Sequence, residues 1–166
     1  MTIQYDGSDF HGWQMQSKGR TVQGDIEDAL VAIYPGENIT LIGAGRTDAG
    51  VHAMGQTAHI YLPSKHNAKE LQKALNGNLK QDVHIDMIED ADDDFHARFS
   101  ATAREYEYHL VKHFSPITRN YTTLLKRKID SKLLIECTDL LMGEHDFTSF
   151  CKVTAEVDHK LCIVYS

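Results

Sequence analysis

The sequence predicts an α+β fold in which antiparallel sheets are built from ferredoxin-like βαββαβ units. From residue 2 to residue 87, period-2 alternation and helical spacing follow one another in the order strand, helix, strand, strand, helix, strand. A further strand, helix and strand come after them, without the second half of a unit. The 166 residues, 42% of them hydrophobic, suffice for one domain or two small ones. We expect an N-terminal unit at 1–97 and an incomplete second unit at 98–166.

Residues typical of helix caps and turns mark the ends of the predicted elements in the first unit. Thr21 is a helix N-cap, and Pro35 with Gly36 stops the helix that it begins. Asn76 and Gly77 close a second helix. The predicted strands are Thr2–Tyr5, Ile39–Ile42, Ala58–Leu62 and Val83–Met87, and the predicted helices run from Val22 to Ile33 and from Ala68 to Leu75.

The second unit begins with a predicted long strand from Ala103 to Lys112. A helix capped by Asp130 or Ser131 follows and ends at Gly143, with Cys137 on its apolar stripe and therefore expected in the core. A last strand is predicted from Lys160 to Ser166. A chain that stopped there would expose an unpaired sheet edge, so we expect it to be truncated or completed by a partner.

The net charge of −7 is unevenly distributed. Seven acids and no Lys or Arg lie between Asp82 and Asp94, whereas eight bases and three acids lie between Arg98 and Lys132. Nucleic-acid binding depends on local Lys and Arg, so the total charge does not exclude it. Two solvated faces without a partner are the alternative.

Residues 43–53, GAGRTDAGVHA, indicate a shaped turn that carries chemistry. Three glycines allow tight backbone geometry around Arg46 and Asp48. Asp48 is a candidate catalytic carboxylate, or else an Asx-turn residue that bonds its own backbone. Arg46 is a candidate phosphate or base contact, or else the partner of a surface acid.

Four blocks in order resemble the tRNA pseudouridine synthase A (TruA) family. The glycine turn is one, and the others are YDGSDFHGWQ at 5–14, DDFHARFSATAREYEY at 93–108 and GEHDFTSF at 143–150. The resemblance implies the pseudouridine synthase fold and isomerisation of uridine to pseudouridine in the tRNA anticodon stem-loop. It also implies a homodimer that grips tRNA, with no membrane partner.

The resemblance also implies roles for individual residues. Asp48 would be catalytic, Arg46 would hold the flipped nucleotide, and Tyr106 would stack on the target uracil. Arg98 and Arg104 would contact RNA, with simple solubility as the alternative. Other residues of the N-terminal block would support the cleft; Trp13, like Tyr108, is better interpreted as packing.

Cofactor and metal chemistry is not expected. The isomerisation involves no redox change, so it requires no cofactor. Ten scattered histidines lack metal-ligand spacing, and the three cysteines, Cys137, Cys151 and Cys162, form no CxxC pair, so we expect reduced thiols and no metal. No apolar run reaches membrane-span length and no signal peptide is present, so we expect a cytoplasmic protein.

The resemblance weakens after residue 150, where complete family members continue with the basic partner of the catalytic aspartate. We therefore expect this polypeptide to be weakly active or inactive by itself. The competing hypothesis is an RNA-binding module of the same fold without catalysis. The third hypothesis is a small hydrolase that uses Asp48 with His52, but the sequence shows no nucleophile with an orienting triad.

Overall fold

The first half of the chain folds around one four-stranded antiparallel sheet. The computed structural model describes residues 1–62, 66–151 and 160–165. The strands are β1 (Thr2–Tyr5), β2 (Ile42–Gly43), β3 (Ala53–His59) and β4 (Val83–Met87), in the order β2-β3-β1-β4. With helices α1 (Val22–Ile33) and α2 (Ala68–Asn78), this is the predicted ferredoxin-like order.

Both helices begin at residues that satisfy their free N–H groups. The Thr21 hydroxyl accepts from Gly24 N at 3.2 Å, and Asn67 forms a capping box with Glu70 at the start of α2. The two predicted helices are therefore confirmed, although α2 continues past Gly77 to Asn78.

The core lies between the helices and one sheet face. Alternation in β1 and β4 turns Ile3 and Ile85 inward, where both are fully buried. Helical spacing brings Ile26 and Leu30 of α1 and Leu75 of α2 onto them, also with no exposed surface. Each such side chain contributes roughly 1.5 to 3 kcal/mol of burial free energy, which makes this half a stable platform.

Strand β2 begins later than predicted because side chains of α1 form hydrogen bonds with the backbone of Leu41. Leu41 N donates to the Glu27 carboxylate at 2.9 Å, and Leu41 O accepts from Gln23 Nε2 at 3.2 Å. Sheet pairing therefore starts only at Ile42, which lies opposite His59. Strand β3 also differs from the prediction: it starts at Ala53, opposite Tyr5, and ends at His59.

The predicted long strand from Ala103 to Lys112 is wrong. Only Leu110–Val111 (β5) is paired among these residues, in parallel with β6 (Thr123–Leu124). Alternation predicts a strand, but a strand also requires a neighbour to bond, and the described residues supply one for two residues only.

The helix of the second half, α3 (Ser131–Asp139), is capped by Asp130, whose carboxylate accepts from Lys132 N at 2.9 Å. The expectation of a buried Cys137 is wrong, because its side chain is exposed. No residue is buried within 108–151 or 160–165, so the apolar stripe of α3 is uncovered among the described residues. Strand β7 (Gly143–Asp146) pairs antiparallel with β8 (Leu161–Val164), which confirms the last predicted strand at these four residues. Lys160 and Tyr165 lie outside the strand, and Ser166 lies outside the described residues.

The contacts divide the chain into two compact units, residues 1–107 and 108–166. The sequence predicts a boundary between two domains near residue 97. The division by contacts does not test that boundary, which stays a prediction. None of the helices in the described part is long and apolar enough to cross a membrane.

Candidate active site

The glycine turn connects β2 to β3 at one edge of the sheet. Ala44 N donates to Thr57 O at 2.8 Å, so the hairpin ladder continues one residue past β2 before the chain departs from it. Arg46, Thr47 and Asp48 follow, outside the sheet. A sheet edge thus fixes both ends of the segment that carries the candidate catalytic residue.

The N-terminal block holds the other side of this turn. Trp13 N donates to Thr47 O at 3.0 Å, and Gly50 N donates to Phe10 O at 3.2 Å. Trp13 itself is 2% exposed, in agreement with its interpretation as packing. The block therefore positions the backbone on both sides of Asp48.

Two glycines of the block make this close approach possible. A Cβ on Gly7 would lie 2.0 Å from Val51 O, and one on Gly12 would lie 2.6 Å from Thr47 O. Gly12 also has φ of +93°, a conformation that side-chain-bearing residues rarely adopt. Any larger residue at either position would push the turn away.

Asp48 presents a free carboxylate. Its side chain is exposed and has no hydrogen bond or ion pair with any described residue. An Asx-turn would use Gly50 N as donor, but that group bonds Phe10 O instead. The Asx-turn interpretation is therefore wrong for this arrangement, and the carboxylate is available to a ligand.

Tyr5 lies beneath the turn. Its hydroxyl is 2.9 Å from Thr47 Oγ1, one residue before Asp48. Burial raises the pKa of Tyr5, the Thr47 hydrogen bond opposes this, and Tyr106 raises it further. A neutral phenol thus bonds the turn from the core side.

An open cleft of about 570 Å³ lies beside the turn. Its lining includes all four predicted substrate-binding residues, Arg46, Arg98, Arg104 and Tyr106. A smaller recess of about 300 Å³ is lined by Asp48, Arg46 and Gln14, among others. Arg46 and Gln14 line both, so they join the recess of the carboxylate to the basic cleft.

The three arginines are held differently. Arg46 is exposed and has no polar partner among the described residues, contrary to the surface-pair alternative. Arg104 donates from Nη2 to Ala44 O at 2.6 Å and from Nε to the same oxygen at 3.2 Å. Arg104 therefore stabilises the start of the turn through hydrogen bonds, and the two N–H groups of its Nη1 atom remain available to a ligand.

Arg98 and Tyr106 reach the cleft from the irregular segment after β4. The Arg98 guanidinium lies 5.6 Å from the ring centre of Phe99. Tyr106 is 66% exposed, so its ring face is accessible to a base. The predicted strand is not what places Tyr106 there.

His52 is directed to the N-terminal block instead of to Asp48. Its Nδ1 atom lies 3.1 Å from Gly7 N and 3.1 Å from Asp6 Oδ1. No hydrogen bond joins His52 to the Asp48 carboxylate, so the described residues give no support to the hydrolase hypothesis. They also contain no group of three His, Cys, Asp or Glu side chains arranged to hold a metal ion.

The sequence interpretation missed the polar wall of the cleft. Gln23 is 7% exposed, and its amide bonds Gln14 and Glu27. The sequence does place a glutamine in the first turn of an amphipathic helix, close to its apolar stripe. A glutamine buried there requires hydrogen-bond partners for its amide, and this could have indicated a polar network.

The family model for tRNA pseudouridine synthases matches residues 1–100. The chain belongs to this family of enzymes. The matched range contains the core, the N-terminal block, the glycine turn and Arg98, so the family assignment covers the elements that build the recess.

Curated relatives extend the match. The chain is 46% identical over 164 residues to "tRNA pseudouridine synthase A" of Brachyspira hyodysenteriae, which covers 96% of this chain and 66% of that protein. It is 40% identical over 166 residues to the protein of that name from Listeria welshimeri, covering 99% and 67%. For "tRNA pseudouridine synthase A 1" of Protochlamydia amoebophila the values are 41% over 152 residues, 90% and 59%. The chain spans about two thirds of the length of the Brachyspira and Listeria proteins and 59% of the Protochlamydia protein.

Proposed function

We propose that this chain carries the catalytic centre of a tRNA pseudouridine synthase, with Asp48 as the catalytic residue. The observation that carries the proposal is the exposed Asp48 carboxylate, which has no polar partner among the described residues, on a turn whose backbone is bonded on both sides. Family membership supports the reaction class. The geometry supports the choice of residue, because a fixed backbone with a free carboxylate is pre-organised for a substrate.

The isomerisation breaks the bond between ribose C1′ and uracil N1, turns the base and joins C1′ to C5. The hydrogen at C5 leaves as a proton and N1 gains one, so the atoms balance without a cofactor. A carboxylate can attack C1′ as a nucleophile or remove the C2′ proton as a base, and Asp48 is suited to either role.

The cleft residues supply binding in this proposal. Arg46 borders both the recess and the cleft, so it can bind phosphate next to the nucleotide that enters the recess. Tyr106 offers an exposed ring for stacking, worth roughly 1 to 3 kcal/mol per base. Arg98 and the Nη1 group of Arg104 add positive charge along the RNA path.

The substrate in this proposal is a uridine in the tRNA anticodon stem-loop, bound by a homodimer in the cytoplasm, where tRNA is modified. Extruding a base costs a few kcal/mol, and an unpaired loop lowers that cost. The stem-loop, the dimer and the location rest on the family resemblance, and the names of the relatives support tRNA as the substrate.

The test is tritium release from tRNA labelled at C5 of uridine, because formation of the new bond expels that hydrogen. The unmodified chain is compared with Asp48→Asn and with Asp28→Asn, a control on the exposed face of α1. We expect weak release, equal in the unmodified chain and the control, and none from Asp48→Asn. Release that persists in Asp48→Asn would overturn the catalytic assignment.

Absence of release from the unmodified chain, with tRNA still bound, would favour the RNA-binding alternative. Binding is measured in parallel, so catalysis and recognition are judged separately.

A further inference from the structure

Three polar side chains form a continuous relay from α1 to the cleft. Gln23 Nε2 donates to Glu27 Oε1 at 2.9 Å and to Leu41 O at 3.2 Å. Gln23 Oε1 accepts from Gln14 Nε2 at 2.6 Å and from Met15 N at 3.0 Å. Gln14 is exposed and lines both the cleft and the recess of Asp48.

The Glu27 carboxylate and two backbone groups, Leu41 O and Met15 N, together set the direction of the hydrogen bonds in this relay. An ionised carboxylate only accepts, so the Gln23 group that faces it must be the NH₂. The Gln23 oxygen then faces Gln14 and requires a donor there, which is the Gln14 NH₂. The Gln14 oxygen is consequently left without a hydrogen bond to any described residue.

Neighbouring groups oppose a rotation of the Gln23 amide that would exchange its donor and its acceptor. Leu41 N donates to the same Glu27 oxygen at 2.9 Å, which holds the carboxylate in place. Met15 N requires the Gln23 oxygen, so rotating the Gln23 amide would oppose two donors. Because Gln23 is buried, water does not readily compensate for these losses.

We propose that Gln14 is a specificity-determining residue that accepts the N3–H of the target uracil. This rests on the proposed function, which supplies a base in the recess beside Asp48. A fixed acceptor suits uracil, whose N3 carries a hydrogen, and opposes cytosine, whose N3 presents a lone pair. Enzymes that extrude a base read it through this Watson–Crick edge.

The experiment measures fluorescence anisotropy of labelled single-stranded oligouridylate, oligocytidylate and oligo-N3-methyluridylate of equal length. Length and phosphate charge are equal in the three probes. Oligo-N3-methyluridylate differs from oligouridylate only at N3 and is the decisive comparison, whereas oligocytidylate also carries an amino group in place of O4. We expect the unmodified chain to bind oligouridylate about threefold to tenfold more tightly than either other probe, the range of one neutral hydrogen bond.

Gln14→Leu should lower the affinity for oligouridylate and remove the repulsion of cytosine N3, so that the affinities for the two probes converge; binding of both that persists shows that the fold is intact. Gln81→Leu, an exposed position outside the cleft, is the matched control and should keep the preference. Glu27→Gln should keep the preference, because its side-chain oxygen can still accept from Gln23 and Leu41, and Leu41 O and Met15 N still fix the direction of the Gln23 amide.

An equal affinity of the unmodified chain for the three probes, or no measurable binding, would overturn the proposal. So would a uracil preference that survives Gln14→Leu. These readouts require no turnover, so they are distinct from the Asp48 test. Tritium release can be absent while the uracil preference is retained, and the uracil preference can be absent while tritium is released.

Discussion

At the residue scale, the backbone around Asp48 is determined by which residues lack a side chain. Gly12 approaches Thr47 O so closely that a Cβ would lie 2.6 Å from it, and the backbone there has φ of +93°. Gly36 has a similar φ of +86°, but nothing lies within 4 Å of its Cβ position. The two positions share the conformational strain and differ in the steric contact.

Gly12→Ala should therefore destabilise the protein more than Gly36→Ala does. The backbone strain common to both costs roughly 1 kcal/mol, and displacing Thr47 O should add at least as much at Gly12. Urea denaturation measures both free energies of unfolding. Equal losses would show that the turn relaxes freely around residue 12, contrary to the bonded turn described above.

A second prediction at this scale concerns His59 and pH. Burial lowers the pKa of His59, and the neighbouring His96 and the N-terminal ammonium lower it further. Its Nδ1 accepts from Ala97 N at 3.1 Å, and its Nε2 has no hydrogen-bond partner among the described residues. The folded state therefore favours neutral His59.

The unfolded chain binds the proton more readily, so stability should fall as pH drops below about 6.5, the ordinary histidine value. The loss should level off once pH passes below the folded pKa. His59→Asn keeps an acceptor side chain but cannot titrate, so thermal melting between pH 7.5 and 5.5 should depend less on pH. His84→Asn, at an exposed position, should retain the dependence of the unmodified chain.

At the element scale, the first turn of α1 joins the helix to the N-terminal block. Val22 N donates to Gly12 O at 3.3 Å and Gln23 N donates to Trp13 O at 3.0 Å. Helix N–H groups that lack intrahelical partners thus hold the segment that bonds the catalytic turn. The Thr21 cap satisfies Gly24 N.

Thr21→Ala should cost about 1 kcal/mol of unfolding free energy, because it removes this cap from a buried site. Thr102→Ala, at an exposed position outside regular structure, is the matched control and should change it little. Chemical denaturation of both variants measures the difference. A cost for Thr21→Ala no larger than the control would show that water replaces the cap.

The sequence predicts the helices better than the strands for a physical reason. Caps and helical spacing are local, and both helices of the first unit form where Thr21 and Asn67 begin them. Strands require partners distant in sequence, so alternation from Ala103 to Lys112 did not suffice. Side chains of α1 that bond Leu41 also delay β2 in a way that no local pattern reports.

The candidate site divides in the same way. Arg46 and Asp48 could be predicted together because they lie two residues apart on a glycine-rich turn. Arg104 reaches Ala44 through a contact between distant segments, and only resemblance suggested that it belongs to the cleft. The role of Gln14 depends on the buried partner Gln23, which no spacing rule connects to it.

At the scale of the whole molecule, charge is separated across the sheet of the first unit. The cleft with its arginines lies beside β2, at one edge, whereas the acidic segment 82–94 begins on β4, at the other. Three strand spacings of about 4.8 Å separate the two edges, about 14 Å in total. For Asp86 on β4 this exceeds the Debye length of about 8 Å at physiological salt, so its carboxylate weakens the field in the cleft only slightly.

The cleft arginines should therefore dominate the salt dependence of RNA binding. Arg46→Gln should lower the slope of log affinity against log salt by about 0.7, the value for one contact to a single-stranded phosphate. Lys69→Gln, an exposed position on α2, should leave the slope unchanged. A slope unaffected by Arg46→Gln, measured by anisotropy over a salt series, would exclude a phosphate contact at this position.

The acidic segment should remain free of RNA in the complex. Acids that faced phosphates would repel them, and the exposed run from Glu89 to Asp94 contains no Lys or Arg. Hydrogen exchange with and without tRNA measures this directly: amides of residues 45–51 should become protected, while those of 89–94 should exchange as before. Protection of 89–94 would mean that RNA crosses the β4 edge, and the path through the cleft would then be wrong. Unchanged exchange there, together with protection of the glycine turn, would place the RNA at the edge of the sheet that presents Asp48, which is where a catalytic carboxylate must meet it.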